Sequence, residues 1–516
     1  MNTSTDLARS YIKYLIEAGV SDFVISPGSR NAPLSIAANE AFEKGLIDLH
    51  IKLDERGAAF FALGISKATD NYVAVICTSG TAVANYAPAA LEALHSGNKL
   101  LLITADRPSK LRKTGSNQTT DQVNIFQGIS THDTSTFNPI KLEKGPIHLN
   151  LQFDEPLLPN DSNDWLQGIQ ISPKVAEVKK REILKLSGNG LVIVGHDKGG
   201  FPPEEIENFA ENLLIISEDP LSFERSIAHS SIFLADEKIR EYLKPDFVIV
   251  IGRTTLSRSI NSFISECKNQ YVVDPLAKSI NNQRTATKIY ENLPQLDIRE
   301  VSEQYRRDFE LAAKSCELDL NWSEQLFART FTKNIPDGSA LFIGSSRPIR
   351  DIEGFAEPRS GIEIYANRGL AGIDGNISTI FGIAAKYERT YAVIGDLTFL
   401  HDLSALVSPI DSDCRIFVID NNGGGIFSTL PQVNVEGFER IFGTPHNQNL
   451  SKIITGFDIP HEVIKNDSDL QRAIIHPNHG LKIFIVEVPN RETMAVNLKK
   501  IYAKASNAVR IGFNLA

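Results

Sequence analysis

The sequence RIFVIDNNGGGIF, from Arg415 to Phe427, changes character in its middle. Its first half is an apolar run of strand length, and an acid, two amides and three glycines follow it directly. Such a run is typical of a buried parallel strand, whereas neither a strand nor a helix continues well through Asn and Gly. Because ligands bind at the carboxyl ends of parallel strands, we predict that these polar residues serve a function there.

Similar apolar runs alternate with helix-length segments along the chain. They include DFVISPG, YVAVICTSG, KLLLITAD, FVIVIG, ALFIGSS and YAVIGD. In a folded chain, strands that alternate with helices form parallel sheets joined by crossover connections. The pattern therefore predicts an α/β fold built from doubly wound parallel sheets.

Two segments of the chain also match each other without a gap. GISKATDNYVAVI, from Gly64 to Ile76, and GIAAKYERTYAVI, from Gly382 to Ile394, are identical at five of thirteen positions. VISPGSR matches LFIGSSR at nearly the same offset, and two matches in one register indicate a repeat. We predict two domains of one architecture with a different α/β domain between them, at residues 1–175, 176–325 and 326–516.

Composition argues against several classes of protein. The 516 residues are 42% hydrophobic and carry a formal net charge of −10, which disfavours a nucleic-acid partner. No stretch approaches the ~18 apolar residues of a membrane span, and the N-terminal segment lacks the apolar core of a signal peptide. The four cysteines show neither metal-site spacing nor a disulfide framework. We therefore expect a cytoplasmic protein.

Two strand ends in the third predicted domain carry oxygen ligands. YAVIGD ends at Asp396, and Asn421 follows RIFVID 25 positions further along. One helix and one return strand fit between them, so the two side chains can be neighbours. A carboxylate, an amide oxygen and a carbonyl beside glycine form the incomplete oxygen shell that Mg²⁺ prefers when it binds phosphates. The alternative interpretation is that both are ordinary turn and cap residues.

This spacing resembles the diphosphate motif of thiamine-diphosphate enzymes, in which GD is followed by NN. The resemblance implies thiamine diphosphate as the cofactor and Mg²⁺ as its metal, with Mn²⁺ as an alternative. It implies metal ligation by Asp396, Asn421 and the carbonyl oxygen of Gly423. Asp420 stands where the family usually has its first Asn, so Asn422 is an alternative ligand.

The resemblance also implies a pyrimidine-binding domain, which would account for the repeat. In LDERGAAFFALG, Glu55 precedes an apolar helical segment. A glutamate at this position in the family bonds N1′ of the cofactor's aminopyrimidine, so Glu55 is the predicted catalytic acid. The alternative interpretation of Glu55 is a first-turn carboxylate that the helix dipole stabilises.

Five stretches make the resemblance more specific. SPGSRNAPL, DERGAAFFALG, TSGTAVANYAPAALEA, TADRPSKLRKTGSNQTTDQ and NRGLAGIDGNIST with NNGGGIFSTLPQ closely resemble the 2-succinyl-5-enolpyruvyl-6-hydroxy-3-cyclohexene-1-carboxylate synthases of menaquinone biosynthesis. These transferases decarboxylate 2-oxoglutarate and add the succinyl semialdehyde carbanion to isochorismate by conjugate (1,4) addition. The alternatives are another thiamine-diphosphate 2-oxo acid decarboxylase or synthase, and a catalytically silent subunit of the same fold.

The resemblance implies two sets of contact residues. Those predicted to bind the cofactor are Glu55, Ser79, Gly80, Gln118, Ile373, Gly395, Asp396, Asn421, Gly423 and Ile426. Those predicted to bind substrate are Ser29, Arg30, Arg107, Asn117, Arg258, Ser346, Arg350, Arg368, Phe427 and Leu430. Both substrates are dicarboxylates, which an acidic protein must bind through local arginines.

Four of these arginines, Arg30, Arg107, Arg350 and Arg368, are expected in loops after strands. The alternative for each is a solvated surface arginine, and the alternative for Ile373 is a place in the core.

The two halves of the cofactor need two domains, which come from different subunits in the family. We therefore expect a homodimer or homotetramer with active sites at the subunit interface.

Overall fold

The computed structural model describes residues 3–161, 163–171, 181–253, 255–276, 285–300, 302–316 and 318–515. The chain divides into two compact units. Unit 1 consists of Met1–Ala176, Asn367–Thr390 and Thr398–Cys414, and unit 2 of Glu177–Ala366, Tyr391–Leu397 and Arg415–Ala516. The predicted boundary at residues 175 and 176 lies outside the described residues, and the three-domain division stays a prediction.

Unit 1 contains a six-stranded parallel sheet with the order β2-β1-β3-β4-β6-β5. Its strands are β1 (Asp22–Ile25), β2 (Asp48–Ile51), β3 (Val73–Cys77), β4 (Leu100–Asp106), β5 (Ser130–Thr134) and β6 (Ile147–Gln152). Its helices are α1 (Ser4–Glu17), α2 (Ala32–Glu43), α3 (Glu55–Thr69), α4 (Thr81–Asn85) and α5 (Ala87–Ser96). Every residue of β1, β3 and β4 is buried, as expected for strands covered by helices on both faces.

The first part of unit 2 is built on a five-stranded sheet, β12-β11-β10-β8-β9, and a separate pair, β13-β7. The strands are β7 (Ile183–Ser187), β8 (Gly190–Val194), β9 (Leu214–Ser217), β10 (Phe247–Ile251), β11 (Asn269–Val273), β12 (Lys288–Tyr290) and β13 (Gln295–Arg299). The helices are α6 (Pro203–Phe209), α7 (Ser230–Phe233), α8 (Glu237–Tyr242), α9 (Arg258–Glu266) and α10 (Glu303–Ser315).

A third sheet lies almost wholly in unit 2 and has the order β15-β14-β16-β17-β19-β18. Its strands are β14 (Ala340–Ile343), β15 (Glu363–Tyr365), β16 (Arg389–Gly395), β17 (Asp413–Asp420), β18 (His461–Ile464) and β19 (Leu481–Glu487). The helices of this part of the chain are α11 (Glu324–Asn334), α12 (Arg347–Phe355), α13 (Asn376–Ala384), α14 (Asp396–His401), α15 (Leu450–Thr455), α16 (Asp467–Ile475) and α17 (Arg491–Gly512). Of these, α13 belongs to unit 1.

The first and third sheets share one topology. When the strands are numbered from one within each sheet, both orders are 2-1-3-4-6-5. The matched sequence segments begin within α3 and α13, respectively, and run into β3 and β16, which are the third strand of each sheet. The predicted repeat of one α/β architecture is therefore confirmed.

Within unit 1, the two repeated glycines meet where α3 packs against α13. A Cβ atom added to Gly382 would lie 2.0 Å from the carbonyl oxygen of Phe61 and 3.0 Å from Cα of Gly64. A Cβ atom on Gly64 would lie 2.1 Å from the carbonyl oxygen of Thr379. These positions need glycine because the backbones of the two helices are in direct contact.

A helix that could cross a membrane would have to be both long and apolar, and the part of the chain that the structure describes has none.

Candidate active site

Asp396 lies where β16 ends and α14 begins, and it is 2% exposed. Its carboxylate accepts hydrogen bonds from the backbone N–H groups of Leu397 (2.6 Å) and Gly423 (2.9 Å). Burial raises the pKa of Asp396, and the two N–H donors oppose that rise. The strand ends of β16 and β17 are thus joined through this carboxylate, as the spacing of GD and NN predicts.

Asn421 follows β17 and is buried. Its Nδ2 donates to Oε1 of Glu324 at 2.7 Å. Its Oδ1 is also buried, yet it accepts no hydrogen bond from any residue that the structure describes. A buried amide oxygen without a donor is costly unless something else pairs with it, and a cation is a suitable partner. Asn421 therefore fits the oxygen set of a magnesium site.

Asn422, the alternative ligand, has its side chain occupied. Its Nδ2 donates to Oδ1 of Asn447 at 3.0 Å, and its Oδ1 accepts from the backbone N–H of Asn447 at 2.9 Å. A residue whose oxygen and nitrogen are both paired within the chain is a poorer ligand candidate. The geometry favours Asn421 over Asn422.

Gly423 has a backbone conformation that favours glycine. Its φ is +133°, and an added Cβ would lie 2.2 Å from the carbonyl oxygen of Gly443. The carbonyl of Gly423 accepts from the N–H of Gly425 at 2.9 Å, which leaves one of its two lone pairs for another partner. A backbone oxygen held in this way can serve as the third oxygen ligand.

Two further groups lie beside Asp396. Nε2 of His446 is 3.2 Å from Oδ2 of Asp396 and 3.7 Å from Oδ1 of Asp420. The three side chains offer ligand atoms within 4.8 Å of one another. Sequence reasoning missed His446, because no spacing pattern connects it to the strand ends and only the fold brings it there.

A buried ionic cluster lies behind Asn421. Glu324, the first residue of α11, is 3.6 Å through its Oε2 from Nε of Arg347, and Arg347 also pairs with Asp351. Burial, followed by the charge of Asp351, raises the pKa of Glu324 to about 7, while Arg347 opposes the rise. Sequence reasoning missed Glu324 as well, because an acid after Ser323 reads as an ordinary helix start.

Other predicted residues of unit 2 lie on the segments around this cluster. Ser346 has φ +74°, an uncommon value for a residue with a side chain, and its carbonyl accepts from Nη1 of Arg350 at 2.6 Å. We expected Arg350 in a loop, but it lies in helix α12, because the helix already begins at Arg347 and Pro348 favours a helix start in the first turn. Backbone strain at Ser346 is of the kind that clusters at functional sites.

Gly395, the last residue of β16, and the 3₁₀ segment that follows β17 carry further predicted contact residues. A Cβ on Gly395 would meet no atom within 4 Å, so the chain leaves room beside that backbone. Ile426 and Phe427 lie in the 3₁₀ turn Gly425–Thr429, and Leu430 follows it; all three side chains are half-buried. Arg258 is exposed at the start of α9, and among the described residues no hydrogen bond or ion pair connects it to Asp396.

In unit 1, three predicted residues are joined directly at the carboxyl ends of β3 and β4. Nη1 of Arg107 donates to Oγ of Ser79 and to the carbonyl of Gln118, both at 2.8 Å. Nε2 of Gln118 donates to the carbonyl of Ser79 at 3.2 Å. The N–H of Gly80 donates to Gln122, which is itself fully buried. The loop after β3 is therefore held by a defined network.

The charge of Arg30 acts on Arg107, which belongs to this network. Burial, and then the charge of Arg30, lowers the pKa of Arg107, so the two guanidinium groups are close enough to repel. Nη1 of Arg30 donates to the carbonyl of Phe153 at 3.2 Å. Ser29 and Asn117 are exposed. Two neighbouring arginines of like charge favour an anionic ligand between or beside them.

Glu55 is the first residue of α3 and is half-buried. The helix start is fixed by Asp54, which accepts from the N–H of Arg56 at 3.0 Å, and Nη2 of Arg56 donates to Oδ1 of Asp402 at 3.3 Å. Burial raises the pKa of Asp402 to about 6, although Ser378 donates two hydrogen bonds to it. The backbone carrying Glu55 is thus held by buried polar contacts in unit 1.

The two remaining predicted residues, Arg368 and Ile373, lie five positions apart in unit 1. Arg368 is buried, and the next N–H, that of Gly369, donates to Glu92 at 2.7 Å. Ile373 is 37% exposed, so core packing does not explain it. An exposed isoleucine fits the predicted cofactor contact better than its alternative interpretation.

Comparisons with known proteins agree with these features. A family model described as the thiamine pyrophosphate enzyme N-terminal TPP binding domain matches residues 5–125. Benzoylformate decarboxylase from Polynucleobacter necessarius has a similar fold, with a TM-score of 0.64 over 95% of this chain and 99% of that one at 13% identity. At that identity the likeness concerns the fold alone.

Similar curated proteins narrow the family. The chain is 33% identical to a 2-succinyl-5-enolpyruvyl-6-hydroxy-3-cyclohexene-1-carboxylate synthase from Saccharopolyspora erythraea, over 99% of this chain and 100% of that one. It is 34% identical to the protein of the same name from a Nocardioides species, over 97% and 98% of the two chains. The chain belongs to this synthase family.

Membership in the synthase family confirms the predicted family, fold class and enzyme class. The chain is a thiamine-diphosphate-dependent transferase of menaquinone biosynthesis. The roles predicted for individual residues stay predictions.

Proposed function

We propose that the chain decarboxylates 2-oxoglutarate and adds the remaining carbon unit to isochorismate by conjugate addition. The observation that carries this proposal is the oxygen set of Asp396, Asn421 and Gly423 in a member of the synthase family. A silent subunit would have no need for a buried amide oxygen that lacks a donor. Bound thiamine diphosphate would supply the carbon nucleophile for the reaction.

Mg²⁺ is the metal that this oxygen set fits best, with Mn²⁺ as the alternative. The carboxylate of Asp396, Oδ1 of Asn421 and the carbonyl of Gly423 would hold it, and the diphosphate would complete its shell. The open backbone at Gly395 and the turn that carries Ile426 would lie along the cofactor. Ile373 is a further proposed contact of the cofactor.

Glu55 would hold a proton at N1′ of the aminopyrimidine, and Ser79, Gly80 and Gln118 would contact the cofactor nearby. In the family the two cofactor halves are bound by different subunits. We therefore propose a homodimer or homotetramer in which the Glu55 of one subunit works with the metal site of another. The cytoplasm is the proposed location, since all four cysteines are buried free thiols.

Arginines would bind the substrate carboxylates. Arg107 and Arg30 are near neighbours, and Arg107 is already oriented by Ser79 and Gln118. Arg350 and Ser346 would contribute further polar contacts, and Phe427 with Leu430 would provide apolar walls. Ser29, Asn117, Arg258 and Arg368 complete the proposed set.

The test is a reconstituted reaction. Purified protein is incubated with thiamine diphosphate, Mg²⁺, 2-oxoglutarate and isochorismate, and both substrates are followed. We expect isochorismate consumption that depends on 2-oxoglutarate and on the metal. Consumption of 2-oxoglutarate alone, or of another 2-oxo acid in preference, would replace the proposal with a decarboxylase. A Glu55→Gln variant with full activity would remove Glu55 from its role.

A further inference from the structure

We propose that Glu324 is a positioning residue that sets the orientation of the Asn421 amide, and so determines which of its atoms faces the cation. This inference rests on the proposed magnesium site. Its basis is the 2.7 Å hydrogen bond from Nδ2 of Asn421 to Oε1 of Glu324, together with the buried, unpaired Oδ1 on the other side of the same amide.

The side-chain amide of Asn421 has two flipped orientations, which differ in hydrogen bonding. The oxygen and the NH₂ group of an asparagine are similar in size, so packing alone discriminates weakly between its two flipped orientations. Oε1 of Glu324 is the acceptor in this contact, and a carboxyl oxygen that carries no proton accepts hydrogen bonds but cannot donate them. A glutamate at Oε1 therefore selects the orientation with NH₂ toward itself, and Oδ1 of Asn421 must point the opposite way.

The carboxylate of Glu324 is itself held in place by its neighbours. Glu324 is only 3% exposed, and its Oε2 lies 3.6 Å from Nε of Arg347. Arg347 is paired with Asp351, which also accepts a hydrogen bond of 3.0 Å from Gln325. The carboxylate that orients Asn421 is thus held from behind by a buried ionic cluster.

Gly425 leaves the space that the Asn421 amide needs to reach Glu324. A Cβ on Gly425 would lie 2.6 Å from Nδ2 of Asn421. A side chain at this position would compete for the space that the amide uses to reach Glu324. The third glycine of the NNGGG segment is therefore also required by the orientation of Asn421, which gives it a role apart from phosphate approach.

The test measures Mg²⁺ binding by isothermal titration calorimetry with thiamine diphosphate present and no substrate, so it does not depend on catalysis. Glu324→Gln keeps the shape of the side chain but gives it both a donor and an acceptor, which removes the selection. We expect Mg²⁺ affinity to decrease about 10–100-fold. The matched control is Glu353→Gln, because Glu353 is also buried and lies in α12, whereas the carboxylate that Nδ2 of Asn421 contacts belongs to Glu324. Its affinity should remain within about threefold of the parent.

The variant Asn421→Asp keeps the inference testable even if Glu324→Gln does not fold. Asn421→Asp adds a carboxylate that faces Glu324, so we expect weaker Mg²⁺ binding despite the extra negative charge. Where Glu324→Gln folds, adding it to Asn421→Asp supplies a donor for the new carboxylate, so the double variant should bind Mg²⁺ more tightly than Asn421→Asp alone. Thermal unfolding of each variant separates loss of binding from loss of structure.

The outcomes distinguish this inference from the proposed function. Unchanged affinity in Glu324→Gln, an equal loss in Glu353→Gln, or tighter binding in Asn421→Asp would overturn the positioning role. Unchanged affinity in Asn421→Ala would instead remove Asn421 as a metal ligand. Loss in Asn421→Ala with no effect of Glu324→Gln would retain the metal site and reject the role of Glu324.

Discussion

Replacing Gly382 by alanine should weaken the contact between α3 and α13 in unit 1. The new Cβ would lie 2.0 Å from the carbonyl oxygen of Phe61, 2.9 Å from the backbone nitrogen of Ile65 and 3.0 Å from Cα of Gly64. All three are backbone atoms, which cannot move away by changing a rotamer. Because carbon atoms pack best at about 3.5–4.0 Å, the two helices must separate locally by about 1 Å.

Two effects oppose each other in this variant. Alanine is the better helix former and would by itself stabilise α13 by up to about 1 kcal/mol. Overpacking of a buried contact costs about 1–3 kcal/mol, and the close backbone contacts place the cost at the upper end. We therefore expect a net loss of about 2 kcal/mol. For a unit of this size, that loss lowers the unfolding midpoint by about 4–8 °C.

The assay is thermal unfolding at a fixed scan rate, followed by circular dichroism. The matched control is Gly456→Ala, since Gly456 is exposed, follows α15 and already has a helical φ of −63°. It should leave the midpoint unchanged or raise it slightly. The double variant Gly64→Ala/Gly382→Ala should lose less than the sum of the two single losses, because one displacement relieves both contacts. A Gly382→Ala midpoint equal to that of the control would refute the packing argument.

Three further predictions follow from the site residues. Arg107→Lys should raise the KM for the dicarboxylate substrate about tenfold with little change in unfolding midpoint, since an ammonium group lacks the planar fork with which a guanidinium pairs with a carboxylate; an unchanged KM would exclude the role. Gly423→Ala should weaken thiamine diphosphate binding at least tenfold in a fluorescence titration, because φ is +133° and the new Cβ would clash with a carbonyl; normal binding would contradict it. Burial raises the pKa of Asp402 to about 6 from 3.8, so the folded state binds its proton more tightly, and the resulting stabilisation is present below pH 4 and lost as the pH rises through 6. The stability advantage of the parent over Asp402→Asn should therefore decrease between pH 4 and pH 7 in denaturant titrations, and a constant difference would refute the assignment.

Short-range pattern was sufficient for much of the fold. The apolar runs of β3, β16 and β17 are strands in the structure, because a short run of Val, Ile and other apolar residues bounded by turn residues is typical of a buried strand. The match between Gly64 and Gly382 also predicted a repeat. What it could not predict is that the two glycines touch each other, because that depends on how the two helices pack.

The sequence by itself determined that strands end directly before Asp396 and Asn421, that the first and third sheets share one architecture, and which family the chain belongs to. Each of these can be predicted from short segments whose residues are close together along the chain. Only the tertiary structure decided that His446 lies beside Asp396, that Glu324 holds the amide of Asn421, and that Asn422 is occupied by Asn447. Those contacts join residues that are 25 to 97 positions apart. No local pattern encodes such pairs, because side chains that share no helix face or strand edge become neighbours only when the core places them there.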